Sequence, residues 1–115
     1  MKLVIAIIKP EYLEAVKTEL QAADVRRLTV IEAQGFGEQM GHKEVYRGQE
    51  FPVQLNPKLK LEIACNDEFV EKTIEAICKG AKTKPEGAIG DGKVFVLNLE
   101  EAVKIRNGEK GSSAI

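Results

Sequence analysis

The sequence predicts an α+β fold of element order β-α-β-β-α-β, an antiparallel sheet with two helices on one face. Three observations carry this. Apolar or alternating runs suited to strands punctuate the chain, two amphipathic helical stretches lie between them, and the pattern falls into two halves of similar size.

KLVIAIIK, residues 2–9, is apolar, β-branched and bounded by Pro10, as a buried strand should be. PEYLEAVKTELQAAD follows, with Leu13, Val16 and Leu20 at spacings of three and four and charges between them. Pro10 and Glu11 suit the first turn of that helix. RLTVIEAQGFG reads as a second strand, with Leu28, Val30 and Ile31 feeding the core and Gly35 and Gly37 ending it. Residues 38–57 show neither a helix nor a strand period, and loops of this length are uncommon in compact domains unless functional or disordered. KLKLEIAC then alternates, with Leu59, Leu61 and Ile63 on one face and Lys58, Lys60 and Glu62 on the other. NDEFVEKTIEAICKGAK is the second helix, with Asn66 as N-cap and Phe69, Val70, Ile74 and Ile77 as its stripe. TKPEGAIGDG is a loop, KVFVLNL the fourth strand, and EEAVKIRNGEKGSSAI a short amphipathic piece running into a polar, mobile tail. This is the split βαβ, or ferredoxin-like, arrangement. A sheet covered on one side leaves its other face in need of a partner if that face is apolar.

At 115 residues the chain fits one domain, residues 1–115. Its 43% hydrophobic and 30% charged residues are those of an ordinary globular protein, and 17 Lys and Arg against 18 Asp and Glu offer no global attraction to nucleic acid or anionic membrane. Any anion site must be local. The apolar run at the start is too short to span a bilayer and shows no cleavage signal, so a cytoplasmic location is expected. Cys65 and Cys78 match no zinc or redox spacing and are expected as buried free thiols.

EGAIGDGKVFV places Gly90, Asp91, Gly92 and Lys93 just before a strand. Backbone amides of such a turn can converge on phosphate oxygens, with Lys93 adding charge; alternatively it is an Asp-Gly turn and no more. Lys104 and Arg106, at alternate positions, would face one way in an extended segment and could grip a polyphosphate, or could simply be solvated. Lys58, Lys60 and Glu62 could line a polar cleft or a solvated sheet face. His42 has no neighbours at metal-ligand spacing and reads as an exposed loop histidine. Tyr46 and Arg47, flanked by Gly41 and Gly48, have the character of a partner-binding finger.

Together these stretches resemble the P-II family of nitrogen signalling proteins. The resemblance is carried by AIIKP, GFG, GHKEVYRG, PKLKLEI, IGDGKVFV and the IR-x-G close, in the family's order and along nearly the whole chain. It implies a non-enzymatic homotrimer that binds ATP or ADP between subunits. It also implies a target-docking T-loop at about 37–55, a nucleotide-binding B-loop at about 82–93 and a C-terminal loop at about 104–115. By position, the nucleotide residues would be Thr29, Gly37, Glu62, Gly90, Asp91, Gly92, Lys93, Lys104 and Arg106, the last two from a neighbouring subunit. 2-Oxoglutarate would be held by Gln39, Lys58 and Gly41, with a magnesium ion shared by ATP, the keto acid and Gln39. Partner contacts would come from Tyr46, Arg47, Gly48 and Glu50, and the partner would be a membrane transporter, for ammonium or another solute, or a metabolic enzyme.

The sequence departs from the family pattern at several points. Phe51 stands where the uridylylated tyrosine falls and Gln49 where some members carry a phosphorylated serine, so neither customary modification is expected. Ala88 replaces a common lysine, Lys104 a common arginine and Met40 a common lysine, and KPEGA lengthens the turn before Gly90. These departures also admit a paralogue that senses adenine nucleotides with bicarbonate, or without a keto acid. A phosphohistidine enzyme on His42 and a metal-tolerance trimer of similar fold are the rivals from other classes. The lone histidine and the separated cysteines disfavour both.

Overall fold

The computed structural model describes residues 1–36, 45–46, 49–50 and 54–115. Strands β1 (Lys2–Ile8), β2 (Thr29–Gly35), β5 (Asn56–Cys65) and β6 (Gly92–Asn98) form one antiparallel sheet in the order β2-β5-β1-β6. Helices α1 (Leu13–Ala22) and α2 (Val70–Ala81) connect β1 to β2 and β5 to β6, so each βαβ unit is split by a strand of the other. The expected ferredoxin-like order is therefore present. Within the stretch that shows no sequence period, β3 (Val45–Tyr46) and β4 (Gln49–Glu50) pair as a two-stranded hairpin, with Val45 opposite Glu50 and Tyr46 opposite Gln49. Runs of two residues are too short to show a period.

Strand alternation sorts the sheet into two faces. Val4, Ala6 and Ile8 of β1 and Leu61, Ile63 and Cys65 of β5 are buried under the helices, against Val16, Leu20, Ala76, Ile77 and Ala81. Both helices start with a 3-10 turn, Pro10–Tyr12 and Asp67–Phe69. The stripe of α2 is rotated from the expected one: Thr73, Ala76, Ile77, Gly80 and Ala81 are buried, while Ile74 is half-buried. Small residues sit inward because the helices nearly touch. A Cβ on Gly80 would lie 2.6 Å from Val16 Cα. Buried Thr73 spends its hydroxyl on Phe69 O at 2.8 Å.

Four expectations are corrected. Val30 and Ile31 are 42% and 39% exposed, because β2 is an edge strand; only Leu28 packs on the core. Cys78 is exposed, while Cys65 is buried and its thiol is pushed up by that burial. Asn66 precedes the 3-10 turn as expected, but its side chain makes no capping bond; Asn66 Nδ2 donates to Ser112 O at 3.1 Å. The tail is not a loose end. It folds into a hairpin with a Val103–Lys110 bridge and a closing 3-10 turn, Gly111–Ala114.

No helix among the described residues covers the other sheet face. Cross-strand rows on it run Ile31–Lys60–Ile7–Lys93 and Thr29–Glu62–Ile5–Phe95, followed by Ala64–Leu3–Leu97. Phe95 and Leu97 are each 49% exposed there. The face is mostly apolar, with Lys60 and Glu62 paired at 3.5 Å.

Candidate functional site

The segment between α2 and β6 is a closed turn built on Asp91. Asp91 Oδ1 accepts from Thr83 Oγ1 at 2.6 Å, and Oδ2 accepts from the amides of Ala88 (2.9 Å) and Thr83 (3.1 Å). Lys9 Nζ lies 3.2 Å from the same carboxylate and donates to Thr83 Oγ1 at 3.1 Å. Burial works against the charged carboxylate, but the bonds from Thr83, the Ala88 amide and Lys9 outweigh it and hold Asp91 well below the usual carboxylate range.

Two further bonds tighten the turn: Gly87 N to Thr83 O at 2.6 Å and Asp91 N to Ala88 O at 3.2 Å. The amides of Thr83, Gly87, Ala88 and Asp91 are thus spent, and those of Ile89 and Gly90 have no acceptor among the described residues. Gly90 is at φ +100°, a conformation that lets successive amides face one anion. Gly92, at φ +108°, runs so close to β1 that a Cβ would sit 1.7 Å from Ile7 O. The glycines here do separate jobs, one of aiming and one of clearance.

Two sheet residues reach this turn. Lys58 Nζ donates to Gly90 O at 3.2 Å, tying β5 to the turn. Lys93 pairs with Ile7 on the bare face, two residues along from the Thr29–Glu62 row. An open cleft of about 630 Å³ is lined by Pro10, by Glu32, Ala33 and Gln34 of β2, and by Pro57 and Lys58 of β5. On the helix side a groove of about 510 Å³ runs between α2 and β6, past Ile74, Cys78, Glu86 and Lys93.

Lys104 and Arg106 are elsewhere. Lys104 N bonds Glu109 O at 2.8 Å, Gly108 N bonds Lys104 O at 2.8 Å, and Gly111 N bonds Ala102 O at 2.9 Å. The two cations therefore lie in a tight hairpin rather than in the extended segment that would turn them one way. Lys104 Nζ is engaged by Glu109 at 3.0 Å, which holds the Glu109 carboxyl below its ordinary value. The hairpin is anchored at the Met1 end of β1, through Leu99 N to Met1 O at 3.1 Å and through Asn66 to Ser112. The Gly-rich turn lies at the Ile8 end, paired through Gly92. Six strand steps separate the two ends, about 20 Å.

The family model for nitrogen regulatory protein P-II matches residues 1–109. The chain belongs to the P-II family. It is 54% identical over 115 residues to nitrogen regulatory protein GlnK1 of Methanosarcina mazei, covering all of this chain and 97% of that one. It is 52% and 53% identical to nitrogen regulatory protein P-II of Bradyrhizobium diazoefficiens and of Mesorhizobium japonicum, over the full length of both chains. P-II proteins are nitrogen regulatory signalling proteins. No helix among the described residues of this P-II chain is long and apolar enough to cross a membrane.

Within this P-II chain the structure gathers Lys58, Gly90, Asp91, Gly92 and Lys93 at one end of the sheet, with Thr29 and Glu62 on the bare face two residues along. Lys104 and Arg106 stay at the other end. Asp91 is drawn inward, its oxygens already taken. Gly37, Gln39, Met40, Gly41, His42, Arg47, Gly48 and Phe51 lie outside the described residues. Tyr46, Gln49 and Glu50 fall in the β3–β4 hairpin. Sequence reading missed Lys9 and Thr83. Lys9 lies within the AIIKP run quoted above, but a lysine just past the end of a strand carries no signal of its long-range partner.

Proposed function

We propose that this P-II chain is a non-enzymatic, cytoplasmic signalling module. In this reading ATP or ADP occupies clefts between the subunits of a homotrimer, and 2-oxoglutarate sets the conformation of the 37–55 loop. The loop, through Tyr46, Arg47, Gly48 and Glu50, then engages a transporter or a metabolic enzyme.

One observation supports the intersubunit site above the rest. Lys104 and Arg106 are anchored at the opposite end of β1 from Gly90 and Lys93, so a polyphosphate could touch all four only where two copies meet. The half-exposed Phe95 and Leu97 on the bare face give the copies an apolar surface to share. The turn also fits a phosphate chemically. The Ile89 and Gly90 amides and Lys93 would hold it, with Arg106 and Lys104 closing from the neighbour. Lys104 would exchange Glu109 for a phosphate oxygen. The keto acid's far carboxylate would take Lys58 from the Gly90 carbonyl, and magnesium would join Gln39, the keto acid and the nucleotide. Such a shared ion gives 2-oxoglutarate a differential affinity for one loop state, which is what shifting a population requires.

Titration calorimetry with ATP, ADP and 2-oxoglutarate plus magnesium tests this. The expected outcome is nucleotide binding in the trimer and keto-acid binding only with ATP and magnesium present. Gln39→Ala should abolish 2-oxoglutarate binding and leave ATP nearly intact. No nucleotide binding at millimolar ligand would sink the proposal, and bicarbonate in the same titration separates the paralogue reading. For the assembly, Phe95→Glu should shift the mass measured by light scattering from three chains toward one; an unchanged mass would remove the bare face from the interface.

A further inference from the structure

A carboxylate directly beneath an anion site should weaken it, and Asp91 sits between Gly90 and Lys93. The chain needs that carboxylate, because its oxygens gather Thr83 and Ala88 and so shape the turn. Its charge is the difficulty. Lys9 Nζ, at 3.2 Å, is its ion-pair partner among the described residues. The side chains of Lys9 and Asp91 are 24% and 19% exposed, so the pair is far less screened than a surface one. Lys9 is well placed to stay there. Its backbone follows the last residue of β1 and precedes Pro10, which starts the 3-10 turn. Its ammonium also bonds Thr83 Oγ1 at 3.1 Å and lies 5.8 Å from the Tyr12 ring centre, while Tyr12 OH reaches the same Thr83 oxygen at 3.4 Å.

We infer that Lys9 is a positioning residue that makes the 83–92 turn tolerant of phosphate: it neutralises Asp91 and keeps that carboxylate pointed inward, without touching the ligand. This rests on the nucleotide reading above and adds to it. Lys93 and the free amides supply the attraction. Lys9 removes a repulsion that the turn's own architecture would otherwise impose. Thr83 is the coupling atom set, because one hydroxyl accepts from Lys9 and donates to Asp91.

The test is ATP affinity, by calorimetry, of the trimeric full chain in four forms: wild type, Lys9→Met, Lys9→Arg, and the double variant Lys9→Met with Asp91→Asn. Lys9→Met should weaken ATP at least about tenfold, the effect of one unscreened like charge near a polyanion. Lys9→Arg should restore most of it. The double variant, with the charge cancelled, should bind ATP more tightly than Lys9→Met alone. A merely structural lysine predicts the reverse, since the double variant also loses hydrogen bonds to the turn. If Lys9→Met does not fold, the double variant against Asp91→Asn alone still decides: with the charge gone, Lys9 should matter little. Wild type that binds ATP with Lys9→Met unaffected, or a double variant no better than Lys9→Met, overturns this inference and leaves the nucleotide site standing. Wild type that binds no ATP overturns both.

Discussion

The turn at 83–92 and the hairpin at 102–111 have similar composition. Each carries glycines and at least one basic residue, Lys84 in the turn and Lys104, Arg106 and Lys110 in the hairpin, and β6 lies between them in sequence. They are built differently. The turn is held from within by long-range bonds from Lys9 and Lys58 and by a half-buried carboxylate, whereas the bonds between 102 and 111 among the described residues are the hairpin's own backbone and one local ion pair, and its long-range anchors, Leu99 to Met1 and Asn66 to Ser112, lie just beyond its ends. A loop fixed from outside can present amides in one geometry. A loop anchored from outside only at its ends keeps its shape but can exchange its charged partner. The first suits a preformed phosphate cradle, the second a clamp that arrives from a neighbour.

The largest loss of stability is expected from a glycine substitution in the turn. Gly92→Ala places a Cβ 1.7 Å from Ile7 O at φ +108°, so β6 must leave β1 locally. A loss of about 3 kcal/mol or more is expected in urea unfolding. A loss under about 1 kcal/mol would mean that the turn is not fixed against β1.

Asp91→Ala comes next. It takes the acceptor from two amides and the Thr83 hydroxyl and the ion-pair partner from Lys9, for a cost of about 1.5–3 kcal/mol at neutral pH. The pH dependence has a definite sign. The carboxyl is held below its ordinary value in the folded chain, so its contribution is present above the unfolded pKa and is lost as pH falls toward the folded one. Wild type should therefore lose stability in acid more steeply than Asp91→Ala. Parallel acid limbs would place the paired carboxylate elsewhere.

Much of this architecture was legible in the chain. Periodicity located both helices and four sheet strands, because each buries one face and alternation or the 3.6 period records it. Leu61 and Ile63 fall inward as read. Val30 and Ile31 did not, because apolar character does not distinguish an edge strand from a central one. Gly80 and Thr73 were invisible as core residues: a close helix crossing needs small side chains, and small side chains carry little hydrophobic signal. In the site, GDGK marked the turn, but the residues that hold it, Lys9 and Thr83, lie 82 and 8 positions from Asp91. Local sequence says nothing about such partners. The hairpin reads as a mobile tail in the sequence because a polar Gly/Ser composition looks alike whether its backbone is satisfied by water or by itself.

A third substitution compares the two loops directly. Gly108 is at φ +73°, yet nothing lies within 4 Å of an added Cβ. Gly108→Ala should cost about 1 kcal/mol, the backbone term alone. Its thermal unfolding shift should be clearly smaller than that of Gly92→Ala. Equal shifts would mean that the hairpin, too, is braced from outside.

The smallest effect on stability is expected at Glu109. Its bond to Lys104 spans two part-exposed side chains on one hairpin, and such pairs contribute little to folding. Glu109→Gln should leave the unfolding midpoint at neutral pH essentially unchanged. Because Lys104 holds the Glu109 carboxyl below its ordinary value, what contribution there is belongs above the unfolded pKa and fades as pH falls. The consequence for ligand is larger than the consequence for folding. In the free subunit Glu109 occupies the ammonium that the proposed cleft needs for phosphate. Removing the competing carboxylate should tighten ATP a few-fold, and high salt should shrink the gain. Weaker ATP binding in Glu109→Gln would mean that Glu109 orients Lys104 toward the phosphate rather than competing for it. The clamp would then be preformed, and the contrast between the two loops would be one of position alone.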